Sequence, residues 1–164
     1  MKITVAVTGH RDVIVTQTLL DAIDTFFDTL CSKYSEVRLL SPLAEGADRV
    51  VAEVFLSHQK HKASCRLEVP LPMEELAYIT SWSSISKKRY QRLCADAKKV
   101  YVIPKVIENP YENLGHYLVE HAQILLALWD GKENHKAGGT AEVVSYAKSQ
   151  NLRTAIFSCK RQNN

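Results

Sequence analysis

Six short runs of apolar and β-branched residues recur along the chain, and each has the length of a β-strand. They cover residues 3–7, 37–40, 67–71, 100–103, 124–129 and 154–157. Most of these runs are continuous rather than alternating, which is typical of a parallel sheet that helices cover on both faces. The pattern therefore predicts a mainly parallel sheet of about six strands.

Helical patterns lie between these runs. Leu19, Ile23, Phe27 and Leu30 repeat at three- and four-residue steps, which predicts one apolar face on the first helix. Further helices are predicted around residues 50–55, 73–97, 111–122 and 143–147, and the segment between Pro104 and Pro110 is predicted to be a loop. The alternation of strand and helix predicts an α/β fold with one doubly wound domain over residues 1–164.

Composition agrees with one folded domain. The chain has 164 residues, of which 46% are hydrophobic and 24% are charged, close to the average for globular proteins. A net charge of +3 is too small to indicate a nucleic-acid or membrane partner, although it permits an anionic small ligand. The longest apolar run, residues 124–129, is far shorter than a membrane-spanning helix, so we expect no membrane insertion.

The strand-like start of the sequence and the wide spacing of its cysteines predict a cytoplasmic protein. Residues 2–7 form a strand-like segment rather than a signal peptide. The four cysteines lie at least 29 residues apart, so no CxxC motif is present, and we expect reduced thiols. Histidines do not form a recognisable metal motif either: His116 and His121 do not share a helix face, and His58 and His61 lie near a helix end. We therefore expect no metal and no cofactor.

Three polar turns that contain glycine follow strands, and a doubly wound sheet would bring all three to one edge. The first turn is formed by Thr8, Gly9, His10 and Arg11. Gly9 lets the backbone approach a ligand closely, and the planar guanidinium of Arg11 suits a phosphate. A structural turn with a solvated Arg11 would explain the same residues.

The second turn leads into the second helix and contains Glu45, Gly46 and Asp48. Gly46 can adopt backbone angles that other residues avoid, and amides at a helix start point toward an anion. Asp48 has two interpretations: it caps the helix, or it binds a ribose or a base.

The third turn carries the strongest pattern. Asp130 and Gly131 end the fifth strand, a polar loop follows, and a helix then opens with Gly138, Gly139, Thr140 and Glu142. Paired glycines before a helix leave amides available for a phosphate, and Thr140 adds a hydroxyl donor. Glu142 either complements the helix dipole or contacts the ligand. The loop over residues 132–136 is either solvated or able to close over the ligand.

Three segments together resemble the SLOG superfamily: VTGHRDV at residues 7–13, SPLAEGADRVVAEV at 41–54, and ILLALWDGKENHKAGGTAEVVSYA at 124–147. The resemblance covers about residues 2–157. It implies a Rossmann-like domain related to the DNA-processing protein DprA and to the Lonely Guy phosphoribohydrolases. It also implies a ligand that is a nucleotide or a nucleotide derivative, including second messengers.

The variant with TGHR, EGAD and WDGK followed by GGTAE looks like the sensor domain of bacterial conflict systems, which often precedes an effector domain. The resemblance thus implies a sensor that forms a homo-oligomer and works with an effector domain or partner protein. The alternative is a nucleotide N-glycosidase of the Lonely Guy type, with Glu142, or else Asp130, stabilising the positive charge that develops on the ribose. The sensor is favoured because the GGT segment lacks the enzyme motif's leading proline and third glycine, and residues 111–122 contain no arginine.

Overall fold

The computed structural model describes residues 1–59 and 64–162, so His61 lies outside the described residues. Its strands are β1 (Lys2–Gly9), β2 (Glu36–Leu40), β3 (Cys65–Leu71), β4 (Lys99–Val102), β5 (Ile124–Trp129) and β6 (Arg153–Ser158). They form one sheet in the order β4-β3-β2-β1-β5-β6, and every pairing is parallel. The predicted α/β fold with a six-stranded parallel sheet is confirmed.

The helices are α1 (Gln17–Lys33), α2 (Ala47–Gln59), α3 (Glu75–Ile79), α4 (Ser84–Ala95), α5 (Pro110–Glu120) and α6 (Thr140–Ser149). Side-chain caps fix several of their starts. The Thr16 hydroxyl accepts from the amide of Leu19 at 3.1 Å before α1, and Asn109 accepts from the amides of Tyr111 and Glu112 before α5. Pro110 is therefore the first helical residue rather than the end of a loop.

The helical region predicted over residues 73–97 is two helices. α3 ends at Ile79, and α4 begins only after Ser83, whose hydroxyl accepts from the amide of Ser86 at 3.1 Å. This local capping bond competes with a continuous helix, which explains why apolar spacing alone did not reveal the break. The shorter helix places Tyr78 in the core beside Trp82.

Helices cover both faces of the sheet, as predicted, and each face has its own core. Val5 and Val7 of β1 pack in the larger core with apolar residues of α1, α2, α3 and α4. Ala6, between them, packs in the smaller core with residues of α5 and α6. Neighbouring residues of a strand face opposite sides of a sheet, so a continuous apolar run serves both cores.

The strand order reverses between β1 and β5. From β1 the chain builds β2, β3 and β4 outward to one side, and then returns to place β5 and β6 on the other. A crevice forms at the carboxyl ends of the strands where such a reversal occurs, and ligands of doubly wound folds bind there. Among residues 1–59 and 64–162, no helix is long and apolar enough to cross a membrane.

Candidate functional site

A cleft of about 520 Å³ opens at the carboxyl ends of β1 and β5, directly outside the reversal of strand order. One wall is the segment that follows β1, and the opposite wall is the start of α6 with the loop before it. The lining residues are Gly9, His10, Arg11, Asp12, Tyr111, Asn134, Lys136, Ala137, Gly138, Gly139, Thr140 and Arg161. The first and third glycine-containing turns therefore face each other across one cleft.

Close backbone packing holds the first wall in place. A Cβ atom on Gly9 would overlap the Cβ of Ala47 and lie 3.0 Å from the carbonyl oxygen of Leu128. Gly46 has a φ of 85°, and a Cβ there would overlap the carbonyl oxygen of Arg11. The amide of Ala47 donates to the carbonyl of His10 at 3.0 Å. The second turn thus supports the first from behind.

The third turn uses its glycine amides differently from the prediction. The Gly138 amide donates to Oε1 of Glu142 at 3.1 Å, and the Gly139 amide donates to the carbonyl of Lys136 at 3.0 Å. Gly139 is the N-cap of α6 and makes no side-chain capping bond. The groups available to an anion here are therefore the first-turn amides of α6 and the Thr140 side chain, which lines the cleft.

His10, which lines the cleft, forms a buried pair with Asp130. Nε2 of His10, a residue only 6% exposed, lies 3.1 Å from the amide of Asp130 and 3.2 Å from its carboxylate. Burial lowers the pKa of His10 more than the carboxylate raises it, so the ring is neutral at pH 7 and accepts from the amide. For Asp130 burial raises the pKa, but polar contacts, first among them the hydrogen bond from the Lys132 amide, outweigh burial and lower it. This pair fixes the ends of β1 and β5 against each other.

Three basic side chains line the cleft: Arg11, Lys136 and Arg161. Nε of Arg161 donates to Oδ1 of Asp12 at 2.8 Å, so its charge is partly balanced. Arg11 makes no ion pair or side-chain hydrogen bond with the residues that the structure describes. Its guanidinium is thus available to an anionic ligand.

An inner chamber of about 100 Å³ adjoins the cleft and shares Gly9, Arg11, Tyr111 and Gly138 with it. Its other lining residues are Val7, Thr8, Pro42, Ala44, Asp48, Tyr78, Leu114, Gly115, Leu118 and Val143. Asp48 is 7% exposed, and its Oδ2 accepts from the Ala44 amide at 3.2 Å. Burial raises the pKa of Asp48 to about 7, although Ala44 and Arg11 act in the opposite direction.

The predicted site residues thus separate into two groups. The cleft and its inner chamber are lined by Thr8, Gly9, His10, Arg11, Asp48, Gly138, Gly139 and Thr140. The remaining predicted residues, Glu45, Gly46, Asp130, Gly131 and Glu142, do not line them. Glu45 and Gly46 border a separate groove with Arg49, and Glu142 borders another beside α6.

Several lining residues have no motif in the sequence. Arg161 reaches the cleft because residue 161 pairs with Val13 in an isolated antiparallel bridge. Tyr111 reaches it because Asn109 and Pro110 start α5 at that position. Lys136 belongs to the polar loop over residues 132–136. The two lysines of this loop were the feature of the sequence that could have indicated a contact with a ligand.

A group of possible metal ligands lies between α5 and α6. Ligand atoms of Glu112, His116 and Glu142 are all within 4.8 Å of one another, a grouping that the sequence did not predict because it joins two helices. The His116 ring also stacks on Tyr146 at 3.7 Å, and Glu142 accepts from Gly138. All three are only partly buried, and His116 and Glu142 have these other partners, so we assign no metal to the group.

No protein-family model matches the sequence, and no curated protein is significantly similar to it. The resemblance to the SLOG superfamily therefore rests on the three segments quoted above. Two glycines of these segments, Gly9 and Gly138, pack so closely against Ala47 and Tyr111 that a Cβ atom would overlap these neighbours.

We predict that Gly138→Ala destabilises the protein by about 1 to 3 kcal/mol more than Gly131→Ala. Both glycines have positive φ, 74° and 80°, so both variants strain the backbone by about 1 to 2 kcal/mol. A Cβ on Gly138 would also lie 2.6 Å from the backbone of Tyr111, whereas nothing lies within 4 Å of a Cβ on Gly131. Urea denaturation of both variants measures the difference. Equal losses would show that the contact between the third turn and α5 is loose.

Proposed function

We propose that the cleft binds the phosphate groups of a nucleotide or nucleotide-derived molecule, and that the domain acts as a sensor of that molecule. The observation that carries the proposal is the placement of Arg11, Lys136 and the start of α6 around one cleft at the strand-order reversal. Cationic side chains and a helix N-terminus both favour a bound anion. The adjoining inner chamber offers room for an uncharged part of the same molecule.

The sensor role itself rests on the resemblance to domains of bacterial conflict systems. In this proposal the ligand is a signalling nucleotide, and its binding is passed to an effector domain or a partner protein. Native mass spectrometry of the freshly purified protein is the direct test, because a copurified nucleotide would be identified by its mass. A titration panel of nucleoside monophosphates and diphosphates, NAD and ADP-ribose covers the case in which the ligand is lost during purification.

The alternative of N-glycosidic bond hydrolysis requires Glu142 beside the bound sugar. Glu142 instead accepts from the Gly138 amide at 3.1 Å and borders a neighbouring groove with Trp129 and Lys148 rather than the cleft itself. A carboxylate accelerates base release only if it stabilises the charge that develops on the sugar in the transition state. The position of Glu142 therefore gives the hydrolase less support than the sensor.

We predict that Arg11→Ala weakens the binding of any nucleotide that the wild-type protein binds by about 1.5 to 3 kcal/mol, the range for a hydrogen bond to a charged group. Isothermal titration calorimetry with the same nucleotide measures the change. Arg153→Ala is the matched control, because Arg153 is exposed at the start of β6, at the opposite edge of the sheet. Equal dissociation constants for wild type and Arg11→Ala would remove Arg11 from the phosphate site.

A further inference from the structure

We propose that the inner chamber is a nucleobase subsite in which Asp48 selects a base with adjacent N–H donors on its edge, as guanine has. This inference rests on the proposed function, because it assigns the second part of the same ligand. It concerns a residue for which the sequence left two interpretations open.

The walls of the chamber fit a planar ring better than a phosphate or a sugar. Apolar side chains contribute much of the lining, namely Val7, Pro42, Leu114, Leu118 and Val143, and the aromatic residues Tyr78 and Tyr111 complete it. A phosphate would lose its hydration against these apolar side chains, and the Asp48 carboxylate would repel it, so its burial there is costly. A flat heterocycle would bury its faces there and keep its polar edge for Asp48.

Asp48 is the polar group that such an edge would meet. Its side chain is more than nine-tenths buried and lines the chamber. Oδ2 accepts one hydrogen bond, from Ala44, and within residues 1–59 and 64–162 no other hydrogen bond reaches the carboxyl group. An ionised carboxylate has about four acceptor positions and no donor, so most of its capacity is left for a ligand.

The acceptor-only character of the carboxylate determines which bases fit. Guanine presents an imino N–H and an amino group side by side, and a carboxylate can accept from both. Adenine and cytosine present an amino group beside a ring nitrogen that is an acceptor, and uracil presents one N–H between two carbonyls. Arg11 lines the same chamber, and its positive charge favours the ionised form of Asp48 that guanine needs.

The test compares four probes, GDP, xanthosine diphosphate, ADP and inorganic pyrophosphate, on the wild-type protein and on Asp48→Asn by calorimetric titration. An asparagine can keep the hydrogen bond from Ala44 with its oxygen, and then turns its amino group toward the chamber. We expect the wild type to bind GDP more tightly than ADP or xanthosine diphosphate. In Asp48→Asn we expect GDP affinity to fall about 10- to 100-fold and xanthosine diphosphate affinity to rise, because xanthine carries a carbonyl where guanine carries its amino group.

Pyrophosphate separates this inference from the proposed function. Its affinity should be equal in the wild type and Asp48→Asn, since it has no base, and it should fall in Arg11→Ala. Asp28→Asn makes the same chemical change on the exposed surface of α1 and should leave all four affinities unchanged. If the wild type binds pyrophosphate and nucleotides without preferring GDP, or if Asp48→Asn keeps the wild-type preference, the base subsite is refuted. If the wild type binds none of the probes, the base subsite is refuted, whereas the proposed function is decided by the native mass spectrometry and the nucleotide panel described above.

Discussion

Asp48→Asn is expected to make the protein more stable than the wild type above pH 7, by up to about 4 kcal/mol. The reason is the cost of an ionised carboxyl group in the core. The pKa of Asp48 is raised from 3.8 to about 7, mainly by burial, despite the nearby positive charges of Arg11 and Arg49. Each unit of this difference corresponds to about 1.4 kcal/mol. Asparagine resembles the neutral acid and keeps an acceptor for the Ala44 amide.

The pH range of the effect follows from the direction of this shift. Between about pH 4 and pH 7 the folded protein retains a proton that the unfolded chain has released, so the free energy of unfolding of the wild type falls as the pH rises. Asp48→Asn lacks this contribution. The two proteins should therefore be equally stable near pH 4 and should separate progressively up to pH 7.

Urea denaturation at several pH values measures this separation. Asp28→Asn is the matched control, because an exposed aspartate on α1 should change the free energy of unfolding by less than about 0.5 kcal/mol at every pH. Parallel curves for the wild type and Asp48→Asn would mean that solvent reaches Asp48 in the folded state. A variant that is more stable but binds GDP less tightly would show that the buried carboxylate is retained for binding at the expense of stability.

The fold was largely predictable because its signals are local and repeated. Continuous apolar runs and the helical stripe of Leu19, Ile23, Phe27 and Leu30 each reflect burial against a neighbouring layer, and the structure confirms them. The break between α3 and α4 was not predicted, since it depends on one capping bond at Ser83. The order of the strands in the sheet was also not predictable from the sequence, because it depends on which distant segments of the chain pair with each other.

The candidate site was predictable where glycine is required by the backbone. Gly46 and Gly138 have positive φ, and Gly9 packs against Ala47, so these turns left a pattern in the sequence. Arg161 left none. It lines the cleft through hydrogen bonds between distant backbone groups, including Ile14 to Lys160 at 2.8 Å and Gln162 to Asp12 at 2.9 Å. Such pairing depends on the folded chain and not on local spacing.

Asp48 could not be assigned from the sequence because both of its interpretations concern the same helix start. The structure begins α2 at Ala47, which puts Asp48 in the first turn rather than at the cap. Its side chain folds back and accepts from the Ala44 amide, so the same carboxylate stabilises the turn and also lines the inner chamber. Its role in binding follows only from the position of the chamber, which is lined by the end of β1, the turn after β2, and residues of α2, α3, α5 and α6.

The turn that presents Asp48 depends on a buried arginine. Arg49 is 2% exposed, and its Nε donates to the carbonyl of Leu43 at 3.0 Å. Nη1 donates to the carbonyl and hydroxyl oxygens of Ser86 at 3.2 and 2.8 Å, and the Ser86 hydroxyl donates to Glu45 at 2.8 Å. Leu43 has a φ of 57°, a conformation that L side chains rarely adopt, and the bond from Arg49 helps to hold it there.

Arg49→Met is therefore expected to lower the free energy of unfolding by about 3 to 5 kcal/mol. Methionine fills much of the space, but the buried carbonyl of Leu43 and the hydroxyl oxygen of Ser86 lose the guanidinium donor, at about 1 to 3 kcal/mol each. The stacking of the guanidinium over Trp82, at 4.7 Å from the ring centroid, is lost as well. Urea denaturation at pH 7 measures the change.

Arg89→Met is the matched control for this variant. Arg89 donates to Glu53 at 2.7 Å, but both side chains are more than two-fifths exposed, so breaking the pair should cost no more than about 1 kcal/mol. If the two variants lose equal stability, Arg49 is not the residue that holds the second turn. If Arg49→Met alone is strongly destabilised, the conformation of Leu43, and with it the position of Asp48 in the chamber, depends on a residue that does not line the chamber.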